Sequence, residues 1–193
     1  MNNDIEFLID TMGDTVSIND AQHKALVTHS NVTNHEERYI HTLKQIKQGD
    51  LITYDNEKYL IVNETVTKRA NKYKALMRHC NYSIVYPGKT EQVLLVDENG
   101  NPILDIYGDE QYITVETDPI NIFIIADNES MAVIGTQLMI VENHILITVQ
   151  DNETNRDKLK VNSTFSAMDY KWKIMNVDKT QRGLLIITCD RND

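Results

Sequence analysis

Residues 51–62 read LITYDNEKYLIV, and this stretch decides the fold class. Two apolar runs, at 51–54 and 59–62, flank a short polar turn that contains Asp55 and Asn56. Asp and Asn tolerate the left-handed backbone of a tight reversal, so the stretch predicts a β-hairpin. The same design recurs along the chain, with runs rich in Val, Ile, Thr and Tyr between Asn, Asp and Gly. The chain is therefore predicted to be all-β, with little helix.

Other runs of this composition predict the remaining strands. They lie at residues 5–9, 14–18, 24–28, 73–85, 93–96, 103–107, 112–116, 120–126, 137–141, 144–150, 171–177 and 184–189. We expect a β-barrel or sandwich-like module and a second, smaller β-module. A short likeness between residues 49–63 and 162–177 suggests related modules, although two hairpins of similar design would share it. The predicted segments are an N-terminal module at 1–95, a hairpin arm or linker at 96–118 and a C-terminal module at 119–193.

Composition limits the classes of function. The chain has 193 residues, with 19 Lys and Arg against 29 Asp and Glu, a net charge of −10. This balance argues against a nucleic-acid binder with a dominant basic face. No stretch approaches the roughly 18 apolar residues of a membrane span, and the N-terminus lacks a secretion-signal pattern. Two cysteines, Cys80 and Cys189, predict free thiols in a reducing cytoplasm.

The segment from Asn34 to Gly49 supports two structures. Asn34 and Glu37 have the spacing of a capping box, and Gly49 would end a helix that buries Tyr39 and Leu43 on one face. The rival is an extended segment at 38–46 that leads into the hairpin. Local chemistry slightly favours the helix.

The residue patterns predict no catalytic, cofactor or metal site. His23, His29, His35 and His41 recur every six residues, a spacing that does not place neighbours on one helix face. His79 precedes Cys80, but adjacent strand residues point to opposite faces, so this imidazole cannot activate the thiol. The chain is expected not to be an enzyme.

The most distinctive charge feature is a basic strand. No acid occurs between residues 64 and 91. We interpret the basic residues as a candidate interface that meets an acidic surface of a neighbouring subunit, the head-to-tail geometry of a ring. A solvated strand face, and a nucleic-acid site with stacking tyrosines, are the alternatives. The candidate interface residues are Lys68, Arg69, Lys72, Lys74 and Arg78.

An acidic hairpin at residues 97–111 is the opposite feature. Its Asn99-Gly100 pair is typical of a type I′ turn. An ordinary edge hairpin is one interpretation, and an arm that projects and docks on a neighbour or in a channel is the sharper one. The candidate residues of this arm are Asp97, Glu98, Asn99, Gly100, Ile103, Leu104 and Ile106.

Together, several motifs resemble the head-closure and head–tail connector proteins of tailed phages and prophages of Gram-positive bacteria. They read RYIHT at 38–42, GDLITY at 49–54, KYLIV at 58–62 and YKALMRHCN at 73–81. Near the C-terminus, YKWKI at 170–174 and GLLIIT at 183–188 resemble the last strand pair of longer relatives.

The resemblance implies small β-barrel-like subunits that form a ring of twelve or six beneath the portal, close the DNA-filled head and join the tail. It implies extended structure at 36–48, against the helix. The implied partners are further copies of the chain, a portal or adaptor protein above, a tail protein below, and genomic DNA that passes without sequence-specific binding. This describes a virion neck protein of stopper or adaptor type, assembled in the host cytoplasm without a membrane.

Two other functions stay open. One is a minor tail or baseplate structural protein with immunoglobulin-like modules. The other is an OB-like binder of single-stranded nucleic acid that uses residues 68–79. An acidic surface suits a DNA conduit better than a DNA binder, because it lets the phosphates slide past.

Overall fold

The fold comes from a computed structural model that describes residues 3–30, 35–69, 72–128, 131–134, 137–140 and 144–192. Strands hold 57% of the chain and helices 9%, which confirms the all-β prediction. The helices are α1 (Asn3–Met12) and α2 (Glu153–Lys158). The strands are β1 (Asp14–Ile18), β2 (Ala21–His29), β3 (Glu37–Thr42), β4 (Leu51–Tyr54), β5 (Glu57–Ile61), β6 (Val66–Arg69), β7 (Lys72–His79), β8 (Tyr82–Tyr86), β9 (Thr90–Leu94), β10 (Tyr112–Glu116), β11 (Ile120–Asn128), β12 (Met131–Ile134), β13 (Gln137–Ile140), β14 (His144–Gln150), β15 (Thr164–Ala167), β16 (Tyr170–Asp178) and β17 (Leu184–Arg191).

The chain divides into two compact units. The main unit comprises Met1–Ile84 and Ile122–Asp193, and the hairpin unit comprises Val85–Asn121. The hairpin unit starts before the arm expected at 96–118, because β10, within that segment, pairs with β9, which precedes it. The segments 1–95, 96–118 and 119–193 stay a prediction as domain boundaries.

The first half of the main unit is a closed six-stranded barrel. Its order is β3-β2-β1-β4-β5-β7, and β7 closes it by pairing with β3, where Ile40 faces Ala75. Closure leaves these six strands without a free edge. Alternate residues point inward, so Val16, Ile40 and Met77 are fully buried in one apolar core.

Two-residue turns set the register of three hairpins. Asn19-Asp20, Asp55-Asn56 and Met168-Asp169 all have positive φ at both residues. This left-handed pair matches the right-handed twist of the flanking strands. The predicted hairpin at 51–62 is therefore confirmed, with Tyr54 opposite Glu57.

The second half of the main unit contains a six-stranded sheet of order β15-β16-β17-β14-β11-β8. Strands β14 and β17 pair along their whole length, from His144 opposite Asp190 to Gln150 opposite Leu184. Their buried residues alternate along the strand, as a half-buried strand requires. The fully buried residues of the sheet include Ile124, Ile147, Val149, Ile174, Leu185, Ile187 and Cys189.

Barrel and sheet share a small apolar cluster of Leu60, Cys80, Ile125 and Leu184. Backbones also meet there. Gly49 has a φ of +88°, and a Cβ on it would lie 1.9 Å from the carbonyl oxygen of Gly183. Only a residue without a side chain fits such an approach.

Several local predictions are wrong. Residues 5–9 lie in α1 and not in a strand; Ile5, Leu8, Ile9 and Met12 have the spacing of one helix face, and Ile9 is buried. Helix α2 was not predicted, although Asn152 caps it by accepting a hydrogen bond from the amide of Asn155 at 2.8 Å.

The strand expected at 73–85 is broken. β7 ends at His79 and β8 begins at Tyr82. Between them the side chain of Asn81 accepts from the backbone amide of Ala126 and donates to its carbonyl, both at 2.8 Å. The strand expected at 103–107 is also absent, because residues 105–108 form a turn.

The contested segment is extended. Residues 37–42 form β3, which pairs with β2 and β7 and thereby secures partners for its backbone groups on both sides. Tertiary pairing thus outweighs the local capping signal. Asn34, the predicted cap, lies outside the described residues, as does the turn predicted at 142–143.

The glycine contact gives a stability prediction. We expect Gly49→Ala to lower the free energy of unfolding by about 2 kcal/mol or more, from left-handed strain together with the clash. Gly100→Ala is the matched control, since Gly100 has a φ of +84° but no neighbour within 4 Å. It should cost about 1 kcal/mol, from the left-handed strain alone. Equal losses in a denaturant titration would contradict this account.

The thiols give a second prediction. Both cysteines are free and buried, and burial raises the pKa of each thiol to about 12. Because the thiolate is the reactive form, native protein at pH 8 should react slowly with an aromatic disulfide reagent. After unfolding, two thiols per chain should titrate. Rapid reaction of the native protein would show that one thiol is accessible.

Candidate assembly surfaces

The hairpin unit begins as a two-stranded stem. β9 and β10 pair from Thr90 opposite Glu116 to Leu94 opposite Tyr112. At the base, the amide of Thr117 donates to the carbonyl of Lys89 at 2.9 Å. The stem then splits into two short branches, residues 95–103 and 103–111.

A closed ring of three backbone hydrogen bonds forms the branch point. The amide of Leu95 donates to the carbonyl of Gln111 at 2.8 Å, Gln111 to Ile103 at 3.0 Å, and Ile103 to Leu95 at 2.8 Å. The three residues are spaced eight apart in sequence. Each contributes one donor and one acceptor, so the junction satisfies its own backbone without a buried core.

Both branches end in the same turn. Asp97 and Asp105 each accept two backbone amides of their own loop on one carboxylate oxygen, at 2.7–3.0 Å. Gly100 and Gly108 follow three residues later, with φ of +84° and +88°. This is a three-residue loop with a type I turn and a left-handed glycine.

The predicted type I′ turn at Asn99-Gly100 is therefore wrong. A type I′ turn needs positive φ at both residues, and Asn99 does not have it. Asp97 stabilises the three-residue loop instead, by accepting hydrogen bonds from the amides of Asn99 and Asn101. The sequence did contain this signal, since Asp at the first position and Gly at the fourth are typical of such turns.

The turn carboxylates are already in use within the chain. Hydrogen bonds from the backbone amides of Asn101 and Asp109 lower the pKa of Asp97 and Asp105, respectively. Their oxygens thus face amide donors of their own turns and not a common cation. In the described part of the chain, no group of three or more His, Cys, Asp or Glu residues is arranged to hold a metal ion.

No residue of the hairpin unit is buried, and the structure describes all 37 of them. The unit holds eight acids and one base, a net charge of −7 out of −10 for the chain. An isolated two-stranded hairpin is marginally stable in water, so exposed apolar residues on it indicate a partner surface. Its exposed large apolar residues are Val85, Val93, Val96, Ile103, Leu104, Ile106, Tyr107, Tyr112, Ile113, Val115 and Ile120.

The residues predicted for the acidic arm fall in this unit. Asp97, Glu98, Asn99 and Gly100 build the first turn, Ile103 lies at the branch point with Leu104 beside it, and Ile106 lies in the second turn. Their role in docking stays a prediction. Tyr107 was missing from the candidates, although it is 83% exposed beside Ile106.

The basic strand is β7, and its side chains alternate between the two faces of the barrel wall. Ala75 and Met77 are in the barrel core, while Lys72, Lys74 and Arg78 lie on the outer face. The amine of Lys74 lies 3.9 Å from the ring centre of Tyr39 on β3. The side chains of Lys68 and Arg69 lie outside the described residues.

Arg78 has a partner within the main unit. Its guanidinium forms a salt bridge with both carboxylate oxygens of Asp127 on β11, one of them at 2.9 Å. A second hydrogen bond joins it to the imidazole of His35 at 2.8 Å. Arg78 thus ties the barrel to the six-stranded sheet, whereas Lys72 and Lys74 form no such salt bridge within the described residues.

A cluster of titratable groups lies elsewhere on the barrel. The hydroxyl of Tyr59 donates to Glu36 at 2.7 Å, and Arg38 donates to the same oxygen at 2.8 Å. The Tyr59 bond, followed by the bond from Arg38, lowers the pKa of Glu36. Burial, followed by the Glu36 bond, raises the pKa of Tyr59. These groups satisfy one another and stabilise the barrel wall.

The main unit also has a polar cleft of about 620 Å³, lined by residues 45–50, 64–65, 150–151 and 182–183. Its polar groups already bond to one another, both within a loop and between neighbouring loops. For example, Thr65 donates to the carbonyl of Ile46 at 2.7 Å, and the amide of Lys47 donates to Asp50 at 2.7 Å. No helix of the described residues is long and apolar enough to cross a membrane.

Comparison with known families defines the class of protein. The model of the YomX N-terminal domain matches residues 1–79, and that of the YomX C-terminal domain matches residues 88–190. These domains are phage-associated, and YomX comes from a Bacillus prophage. The chain belongs to the YomX family, and it is a phage-related protein. The searches of curated proteins and of solved structures found no match.

The contrast between Arg78 and Lys74 is testable. Arg78→Leu leaves the carboxylate of Asp127 without its partner, so we expect a loss of about 1–3 kcal/mol in unfolding free energy. Lys74→Leu, the control, removes a partly exposed cation from the same strand and should cost under about 1 kcal/mol. Chemical denaturation measures both, and an Arg78→Leu protein as stable as wild type would refute the bridging role.

Proposed function

We propose that this chain is a structural protein of a tailed-phage neck. It forms a ring beneath the portal, closes the DNA-filled head and joins the tail, as a stopper or adaptor. Its partners are further copies of itself, a portal or adaptor protein above and a tail protein below. Its place is the virion, and its role is non-enzymatic. The phage association of the family and the barrel fold support this proposal.

The observation that carries the proposal is the hairpin unit. It keeps 37 residues in an ordered branched hairpin without one buried residue, and it exposes apolar side chains throughout. A monomer gains little stability from such an element, because little apolar surface leaves the water. The element becomes favourable when another molecule covers it, which is the behaviour of an assembly protein.

The barrel supports the same role. Its six strands close on each other, so copies cannot add as strands to the barrel wall itself, although β6, which among the described strands pairs with β7 alone, keeps one open edge. In the proposed assembly, copies meet through side-chain surfaces and through appended elements. A ring of defined size needs such specific contacts, because pairing along sheet edges favours open-ended growth.

The negative charge of the chain is consistent with a protein through which DNA passes. The hairpin unit concentrates a net charge of −7 in 37 residues. Such a surface repels the phosphate backbone and gives DNA no binding energy to overcome during ejection. The main unit holds the remaining −3. Within it, Lys72 and Lys74 lie together on the outer face of β7.

Loss of the gene in a producing phage tests the proposal. We expect heads that package DNA and then lose it, together with free tails of normal length, as seen by electron microscopy and by nuclease sensitivity of the DNA. Wild-type protein supplied in trans should restore joined particles. Gold label on a tagged copy should lie at the head–tail junction.

Two outcomes would contradict a neck role. Stable, filled heads beside absent or malformed tails would identify a minor tail or baseplate protein. Normal infectious particles without the gene product would remove any structural role in the virion.

A further inference from the structure

The two turns of the hairpin unit offer an internal comparison. Both place an Asp cap and a left-handed Gly around two central residues, with matching hydrogen bonds. In the first turn the central residues are Glu98 and Asn99, as expected for a turn in water. In the second they are Ile106 and Tyr107. The two turns share one backbone arrangement, so they differ in the side chains that they expose, which are polar in the first and apolar in the second.

Ile106 and Tyr107 are 91% and 83% exposed, the highest values among the exposed large apolar side chains that the structure describes. Asp105 and Gly108 fix the backbone beneath them. A turn that its own hydrogen bonds already shape loses less conformational entropy on binding. Tyrosine is also among the residue types that contribute most binding energy when an interface buries them. The pair forms what we call the Ile106–Tyr107 knob.

We propose that the Ile106–Tyr107 knob docks on the outer face of β3 and β7 of a second copy of this chain. We call that surface the basic face; it comprises Tyr39, His41, Lys72, Lys74 and Leu76. The proposal deepens the proposed function by naming the contact between subunits. It rests on the proposed function only for the location of this contact in the phage particle.

Charge complementarity favours the basic face of a second copy as the partner of the knob. The knob lies between Asp105 and Asp109, with Glu110 next in sequence, so its partner needs an apolar centre and a basic rim. The basic face supplies Lys72 and Lys74 beside the partly exposed Tyr39 and Leu76, while its other end holds Glu37 opposite the salt-bridged Arg78. Burial, followed by the charges of Lys72 and Lys74, lowers the pKa of His41 on the same face.

The acids around the knob also argue against other occupants. DNA phosphates and anionic lipid headgroups would be repelled by Asp105, Asp109 and Glu110. A different protein with a basic, apolar surface is the remaining competitor. The experiments below separate it from a second copy.

The knob and the basic face are different patches, so the contact is heterologous. Each copy offers one knob and one face, and repetition of the contact gives a closed ring or an open filament. A two-fold dimer would instead bring the same patch of each copy together. This difference gives the contact a distinct signature in mixing experiments.

The first experiment copies the first turn onto the second. Ile106→Glu with Tyr107→Asn keeps Asp105 and Gly108, so the turn and the melting temperature should be retained. In sedimentation velocity over a concentration series, wild type should associate and this variant should do so about 30-fold more weakly, as for an anchor residue. The matched control, Glu98→Ser with Asn99→Ser, should associate like wild type.

The second experiment mixes two defective proteins. Lys72→Glu with Lys74→Glu removes the basic face and should weaken association to a similar extent while the barrel stays folded. Mixed with the knob variant, each pair still has one intact knob and one intact face, so heterodimers that grow no further should form. Mixtures without heterodimers, or a face variant that associates like wild type, would overturn the proposal.

The third experiment identifies the occupant in phage-producing cells. A photo-crosslinking amino acid at position 107 should give a chain–chain product whose linked peptide maps to residues 37–42 or 72–79. A product with another protein, or no product, would overturn the second-copy assignment. Self-association by this route without a neck location would refute the proposed function alone, so the two proposals fail separately.

Discussion

The pairing of β7 with β3 is the constraint on which the rest of the main unit depends. It closes the barrel, with Ile40 opposite Ala75, and its alternation sends Met77 into the core and Lys74 to the surface. Cys80 and Asn81 directly follow β7 and contact the six-stranded sheet. Cys80 packs in the shared apolar cluster, and Asn81 bonds to the backbone of Ala126. One strand therefore closes the barrel, presents the basic face and holds the two halves together.

The predictable part of this fold is local. The hairpin at 51–62 follows from Asp55 and Asn56, whose positive φ is a property of residues at a tight turn. Strand alternation likewise requires Ala75 and Met77 to share one face of β7 and Lys74 and Arg78 to share the other. In contrast, β3 and β7 meet across some 35 residues of sequence, and alternation fixes which face a strand shows without fixing its neighbour. The barrel module was expected, but the identity of the strands that close it was beyond the sequence pattern.

The errors have the same origin. Asn34 and Glu37 favoured a helix locally, but β2 and β7 supply hydrogen bonds to both edges of residues 37–42. At 5–9 the apolar content suggested a strand, while the spacing of Ile5, Leu8, Ile9 and Met12 carried the helical period. The candidate site shows this limit most clearly: Arg78 reads as one more cation of a basic strand, and its engagement by Asp127 depends on a contact 49 residues away.

The hairpin unit solves a different physical problem from the barrel. The barrel orders its backbone by burying side chains, whereas the hairpin unit does so with the ring of bonds at Leu95, Ile103 and Gln111 and with two Asp-capped turns. Hydrogen bonds exposed to water add little net stability, so this order is held weakly. It nevertheless leaves every apolar side chain of the unit available for contact. Stability and surface contact are thus divided between the two units, since the barrel buries its apolar side chains and the hairpin unit exposes them.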